Sequence, residues 1–70
     1  MTAYPPPELR PVLRALLRDK RTSLPTHSAT LWALTSRGLV EPVSEAGGRT
    51  DVRLTARGRV MSRLIAQGEP

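Results

Sequence analysis

The chain has 70 residues and a mass of 7.7 kDa, room for one small domain and no second core. It contains no cysteine, which excludes disulfide staples, thiolate metal sites and a cysteine nucleophile together, and His27 is its single histidine. Eleven basic residues against six acidic ones give a net charge of +5, which favours a polyanion or an acidic protein surface as partner. Ten of the eleven are arginine, whose planar fork of donors matches phosphate; Lys20 is the only lysine. With 39% apolar and 24% charged residues the chain reads as a folded globule. No apolar run approaches the roughly 20 residues of a membrane span, and residues 1–7 lack the basic and apolar stretches of a secretory signal. The composition therefore predicts a cytoplasmic domain with no membrane partner and no cofactor.

Residues 1–7 form a proline-rich leader, expected to run extended and loosely held, with Tyr4 placed to fold back onto the core. The domain proper is expected over residues 8–67, with 68–70 as a tail. From Glu8 the pattern turns helical: Leu9, Val12, Leu13, Leu16 and Leu17 make one apolar stripe. Pro11 fits only in the first turn, where its missing amide has no intrahelical partner. Arg10, Arg14, Arg18 and Arg21 line the other side and read as a solvated face.

A short polar connection, Asp19–Ser23, leads to a second predicted helix. Ser23 or Thr26 would cap it, Pro25 would sit in its first turn, and it would run to about Arg37. Gly38 would take the left-handed position after its end. On this wheel Leu24, His27, Leu31 and Leu34 share the apolar face, so His27 reads as a partly buried histidine. Leu39–Val43 follows as a short strand that Pro42 confines to an edge or an end. Gly47-Gly48 signals a turn, and Asp51–Leu54 returns as the second strand of a hairpin with a basic-sided tip. Thr55 caps a last helix, its hydroxyl reaching the amide of Gly58. Val60, Met61, Leu64 and Ile65 make that helix's apolar stripe, and Arg57, Arg59 and Arg63 read as its solvated side. The expected core is Leu13, Leu16, Leu31, Leu34, Leu39, Leu54, Val60 and Leu64.

Leu31-x-x-Leu34-x-x-Arg37-Gly38-Leu39-Val40, the turn Gly47-Gly48-Arg49, and Val52-Arg53-Leu54-Thr55-x-x-Gly58-Arg59 together resemble the core of a winged helix-turn-helix. The pattern is most similar to MarR-type and PadR-type bacterial regulators and covers residues 24–66. The resemblance implies a small α+β winged helix in the order helix, helix, hairpin wing, helix, with the second of the usual helices missing or reduced. It implies a DNA-binding protein, a transcriptional regulator or accessory factor, on double-stranded DNA and as a homodimer or within a larger assembly. Carried over by position, the helix ending at Arg37 would enter the major groove with Pro25, Thr26, Ala29 and Ala33, Trp32 beside them, and Arg37 at its end. Arg49 and Arg53 would be the wing's contacts to phosphate.

Other readings of the same residues remain open. The predicted groove face carries Thr, Ala and Ser, whereas base edges are read best by Arg, Lys, Asn and Gln. A small-residue face edged by Trp32 equally suits packing against another protein, and this gives the alternative, a winged-helix interaction module. Trp32 is either half-buried against the hairpin or an exposed anchor. Arg53 either contacts phosphate or pairs with Glu41 across the hairpin. Catalysis has no basis in the residues. Ser28 would point about 100° away from His27 on a shared helix, and Gly47-Gly48 without a following Gly-Lys is a turn and no phosphate loop.

Overall fold

A computed structural model describes residues 5–68. It is an α+β fold of three α-helices and one antiparallel sheet: α1 (Arg10–Asp19), β1 (Thr22–Pro25), α2 (Ala29–Ser36), β2 (Val40–Ala46), β3 (Arg49–Leu54) and α3 (Ala56–Gly68). A single 3₁₀ turn, Pro7–Leu9, leads into α1. Tyr4 and the last two residues of the tail lie outside the described residues.

The leader is anchored at its end. Pro5 is fully buried, and Leu9 joins the core. Pro11 lies in the first turn of α1, as its missing amide requires. The helix ends at Lys20, which takes a left-handed φ of 71° and returns its amide to the Leu16 carbonyl at 2.8 Å. Glycine is the usual residue for that position, so the chain holds a lysine where a side chain is strained.

The main departure from the sequence reading follows directly. Thr22–Pro25, expected as the approach and first turn of a helix, is a strand. It pairs with β3 in the register Thr22↔Val52 to Pro25↔Arg49, giving the sheet order β1-β3-β2. Ser23 and Thr26 are capping residues by type, but backbone pairing with β3 wins here. The helix starts later, capped by Ser28, whose hydroxyl accepts from the Leu31 amide at 3.1 Å. Consequently His27 is not on an apolar helix face. It sits exposed in the turn between β1 and α2.

The hairpin forms as expected. Gly47 and Gly48 have φ of 61° and 75°, the pair of positive values a two-residue type I′ turn needs. Pro42 lies in β2, an edge strand, and the register shifts between Pro42 and Ser44, so Val43 is bulged out of the ladder. Gly38, at φ 70°, makes the left-handed exit from α2. Thr55 caps α3 by accepting from the Gly58 amide at 3.0 Å, and the same hydroxyl donates to the Gly38 carbonyl at 2.6 Å. One side chain thus fastens the end of α2 to the start of α3.

The core gathers Leu9 from the 3₁₀ turn, Leu13 and Leu16 from α1, Leu31 and Leu34 from α2, Leu39 just before β2, Val40, Val52 and Leu54 from the sheet, and Met61 and Ile65 from α3. Val60 and Leu64 were expected there and are not: they are 58% and 45% exposed. The reason is Gly58. Its backbone lies against the Leu39 carbonyl and Leu54 side chain, a contact no Cβ could share. That contact turns Gly58, Met61, Ser62 and Ile65 inward and Val60 and Leu64 outward.

Candidate functional site

α2 and the hairpin tip meet through Thr26. Its amide donates to the Gly48 carbonyl at 2.9 Å, and its hydroxyl shares a 2.8 Å hydrogen bond with that of Thr50. Thr26 is therefore half-buried structural cement ahead of the helix, and it is not a groove-facing helical residue as expected. Pro25 ends β1. Ala33 is half-buried and packs against the core, so it too leaves the predicted outer face.

What α2 does present is narrow. Ala29, Trp32, Ser36 and Arg37 are exposed, Trp32 at 74%, which settles the choice between half-burial and exposure. Beside it lies an open depression of about 450 Å³ between the helix and the inner side of the hairpin, bounded by Trp32, Thr35, Pro42 and Glu45. The polar groups of the helix are turned back on it. Thr35 donates to the Leu31 carbonyl at 2.9 Å, Ser36 to the Trp32 carbonyl at 2.7 Å, and the Arg37 guanidinium to the Ala33 carbonyl at 3.2 Å. Only the Arg37 bond reaches a carbonyl of the last turn; Thr35 and Ser36 bond back to carbonyls one turn earlier. They leave the Trp32 indole N–H and the remaining N–H groups of Arg37 as the face's outward donors.

Of the two hairpin arginines, Arg49 was expected as a phosphate contact and Arg53 either as that or as a partner of Glu41, and both have protein partners. Arg49 begins β3, where it was placed by sequence at a loop tip. Its guanidinium donates to the Ser23 hydroxyl at 2.9 Å and to the Ser23 carbonyl at 3.0 Å. Two of its five donors are used and the rest face solvent. Arg53 pairs with Glu41 across the β2–β3 ladder at 2.6 Å, the second of the two readings open for it.

Along β3, Thr50, Val52 and Leu54 point into the core, while Arg49, Asp51 and Arg53 alternate outward. The outer sheet face thus carries Arg49 at the hairpin end and Arg53 at the other. Beyond Arg53 a second hollow, about 400 Å³, opens between the end of α1, the start of β1 and α3. Lys20, Arg21, Arg53, Arg59 and Arg63 line it. Sequence reasoning missed this gathering, because its members come from three separate stretches, and Arg21, Arg59 and Arg63 each looked like part of a solvated face.

Among the described residues no group of three or more His, Asp and Glu could hold a metal ion, and no helix is long and apolar enough to cross a membrane. Compared with protein-family models, with curated proteins and with solved structures, the chain matches none of them.

Proposed function

We propose that the protein is a small winged-helix DNA-binding protein, an accessory factor or regulator whose affinity comes from arginine–phosphate contacts and little from base readout. One observation carries this reading: α2, with Trp32 outward, lies beside a glycine-tipped hairpin, in the element order helix, strand, helix, hairpin, helix with the sheet order β1-β3-β2. We read this order as a winged-helix plan with one helix where a full version has two. The surplus of five positive charges supplies the sign a duplex requires. The inward-turned hydroxyls of Thr35 and Ser36 argue against strong sequence preference.

Binding to a mixed-sequence duplex at several salt concentrations tests the reading. The expected result is association that falls steeply with salt. Arg49→Ala should weaken binding to every sequence alike and lower the slope of log K against log salt by about 0.9. Trp32→Ala should have a smaller and less salt-dependent effect, since an indole carries no charge.

A second reading has its own support. An exposed Trp beside Pro42 and a shallow hollow is the kind of anchor that protein interfaces use. On that reading the domain is a winged-helix interaction module, with no salt-sensitive DNA binding near 50 mM, where phosphate-driven association is strong. It would lose a protein partner on Trp32→Ala.

A further inference from the structure

Five of the chain's eleven basic residues converge on the hollow between α1, β1 and α3, and no carboxylate lines it. Arg53 is neutralised by Glu41. Among the described residues no carboxylate pairs with Lys20, Arg21, Arg59 or Arg63. Arg59 and Arg63 stand one turn apart on α3 and face the same opening. Unpaired like charges this close repel one another, and a bound anion relieves the repulsion. Lys20 adds a further sign: the only non-glycine residue with positive φ among those described is a cation on the rim of this hollow. Glycine would be easier there and would carry no charge.

The hollow lies away from the α2 end of the molecule. The pairing Pro25↔Arg49 and the Thr26–Gly48 hydrogen bond put the start of α2 at the hairpin tip, whereas Thr22↔Val52 puts Arg21 beside Arg53 at the far end of β3. Four residue steps along β3, about 13 Å at about 3.3 Å each, separate Arg49 from Arg53.

We infer that this hollow binds phosphate groups, and that in the working protein they belong to a nucleic-acid backbone. The source of the phosphates rests on the DNA-binding reading; the site itself rests on the charge cluster. An acidic, leucine-bearing peptide is the rival occupant, and the floor speaks against it. Of the three leucines that line it, Leu16 and Leu54 are 1% and 6% exposed, which leaves only the half-buried Leu17 for an incoming apolar side chain to cover. The hollow's charged groups are all cations, and arginine forks match phosphate in shape as well as sign.

The test compares the parent with the triple variant Lys20→Gly, Arg59→Gln, Arg63→Gln. All three side chains are exposed, and Lys20→Gly relieves a positive φ, so the variant should melt no lower than the parent. With a mixed duplex, losing three phosphate contacts should lower the slope of log K against log salt by about 2.7, so that between 50 and 200 mM salt the variant loses about 40-fold less affinity than the parent. Separately, inorganic phosphate is titrated into the labelled parent while the arginine side-chain Nε–H signals are followed by NMR. Saturable shifts at Arg59 and Arg63, and none at Arg57, are expected. If the duplex binds, the triple variant keeps the parent's slope, and phosphate moves neither signal, the phosphate site is wrong and the α2 reading survives. If phosphate shifts both signals but no duplex binds, the site stands and the α2 reading is wrong. Binding of a polyglutamate peptide to the hollow as tightly as the duplex would overturn the inference in favour of an acidic protein partner.

Discussion

Gly58 in α3 and the Leu39 carbonyl that precedes β2 are packed backbone to backbone, and the same carbonyl accepts the amide of Thr55 at 3.1 Å. A methyl group at Gly58 would overlap that oxygen. In most helices Gly→Ala gains up to about 1 kcal/mol from propensity. Here Gly58→Ala should instead destabilise by about 1–3 kcal/mol, the usual cost of overpacking against atoms that cannot yield. Urea unfolding gives the sign, and a stabilised variant would show that α3 does not seat on Leu39.

The rotation that Gly58 imposes on α3 can be tested by a contrast. Leu34 is fully buried, and Leu34→Ala should cost about 2–5 kcal/mol, a large share of what a small domain possesses. Val60→Ala, at a position 58% exposed, should stay within about 0.5 kcal/mol of the parent. Equal losses in the two variants would mean that Val60 packs inward after all.

Ser62 is fully buried in α3, and its hydroxyl has no hydrogen-bond partner among the described residues. A buried polar group left unpaired costs about 1–3 kcal/mol. Ser62→Ala removes that group and adds helix propensity, so the variant should gain about 1 kcal/mol. Thermal melting would register it, and a loss would reveal a hydroxyl partner.

The hydrogen bond from the neighbouring Arg18 side chain, at 3.0 Å, holds the Asp19 carboxyl below its ordinary range, with the arginine's charge adding to it. A depressed carboxylate stabilises the fold above its unfolded pKa, about 3.9 for Asp. That contribution disappears as the pH falls through the lower folded value. Both side chains are open to solvent, so the contribution to stability is small. Arg18→Gln should return Asp19 to the ordinary carboxylate range, as read from its side-chain carbon shift during an NMR pH titration.

The elements governed by local chemistry were legible in the sequence: the α1 stripe, the Gly47-Gly48 turn, the Gly38 exit and the Thr55 cap. β1 was not, because Ser23, Pro25 and Thr26 are also the residues that begin helices, and only pairing with β3, distant in the sequence, decides between the two. The inward face of α3 was ambiguous for a similar reason. Val60, Met61, Leu64 and Ile65 span a wide stripe, and the choice within it came from a backbone contact to Leu39. The exposed Trp32 and the Arg53–Glu41 pair were among the outcomes the residues allowed. The basic hollow could not be read, since Lys20, Arg53 and Arg63 are neighbours only once the chain has folded.

Each outer strand of the sheet carries a proline, Pro25 in β1 and Pro42 in β2, and β2 is further broken by the bulge at Val43. A foreign strand arriving at either side would meet a missing donor before it could build a ladder. The fold is therefore protected against lengthening its sheet, the route by which small β-containing proteins become fibrils. Pairing between two copies of this chain would then rest on side-chain contacts and not on a shared ladder, and Val60 and Leu64 are among the apolar side chains that face outward.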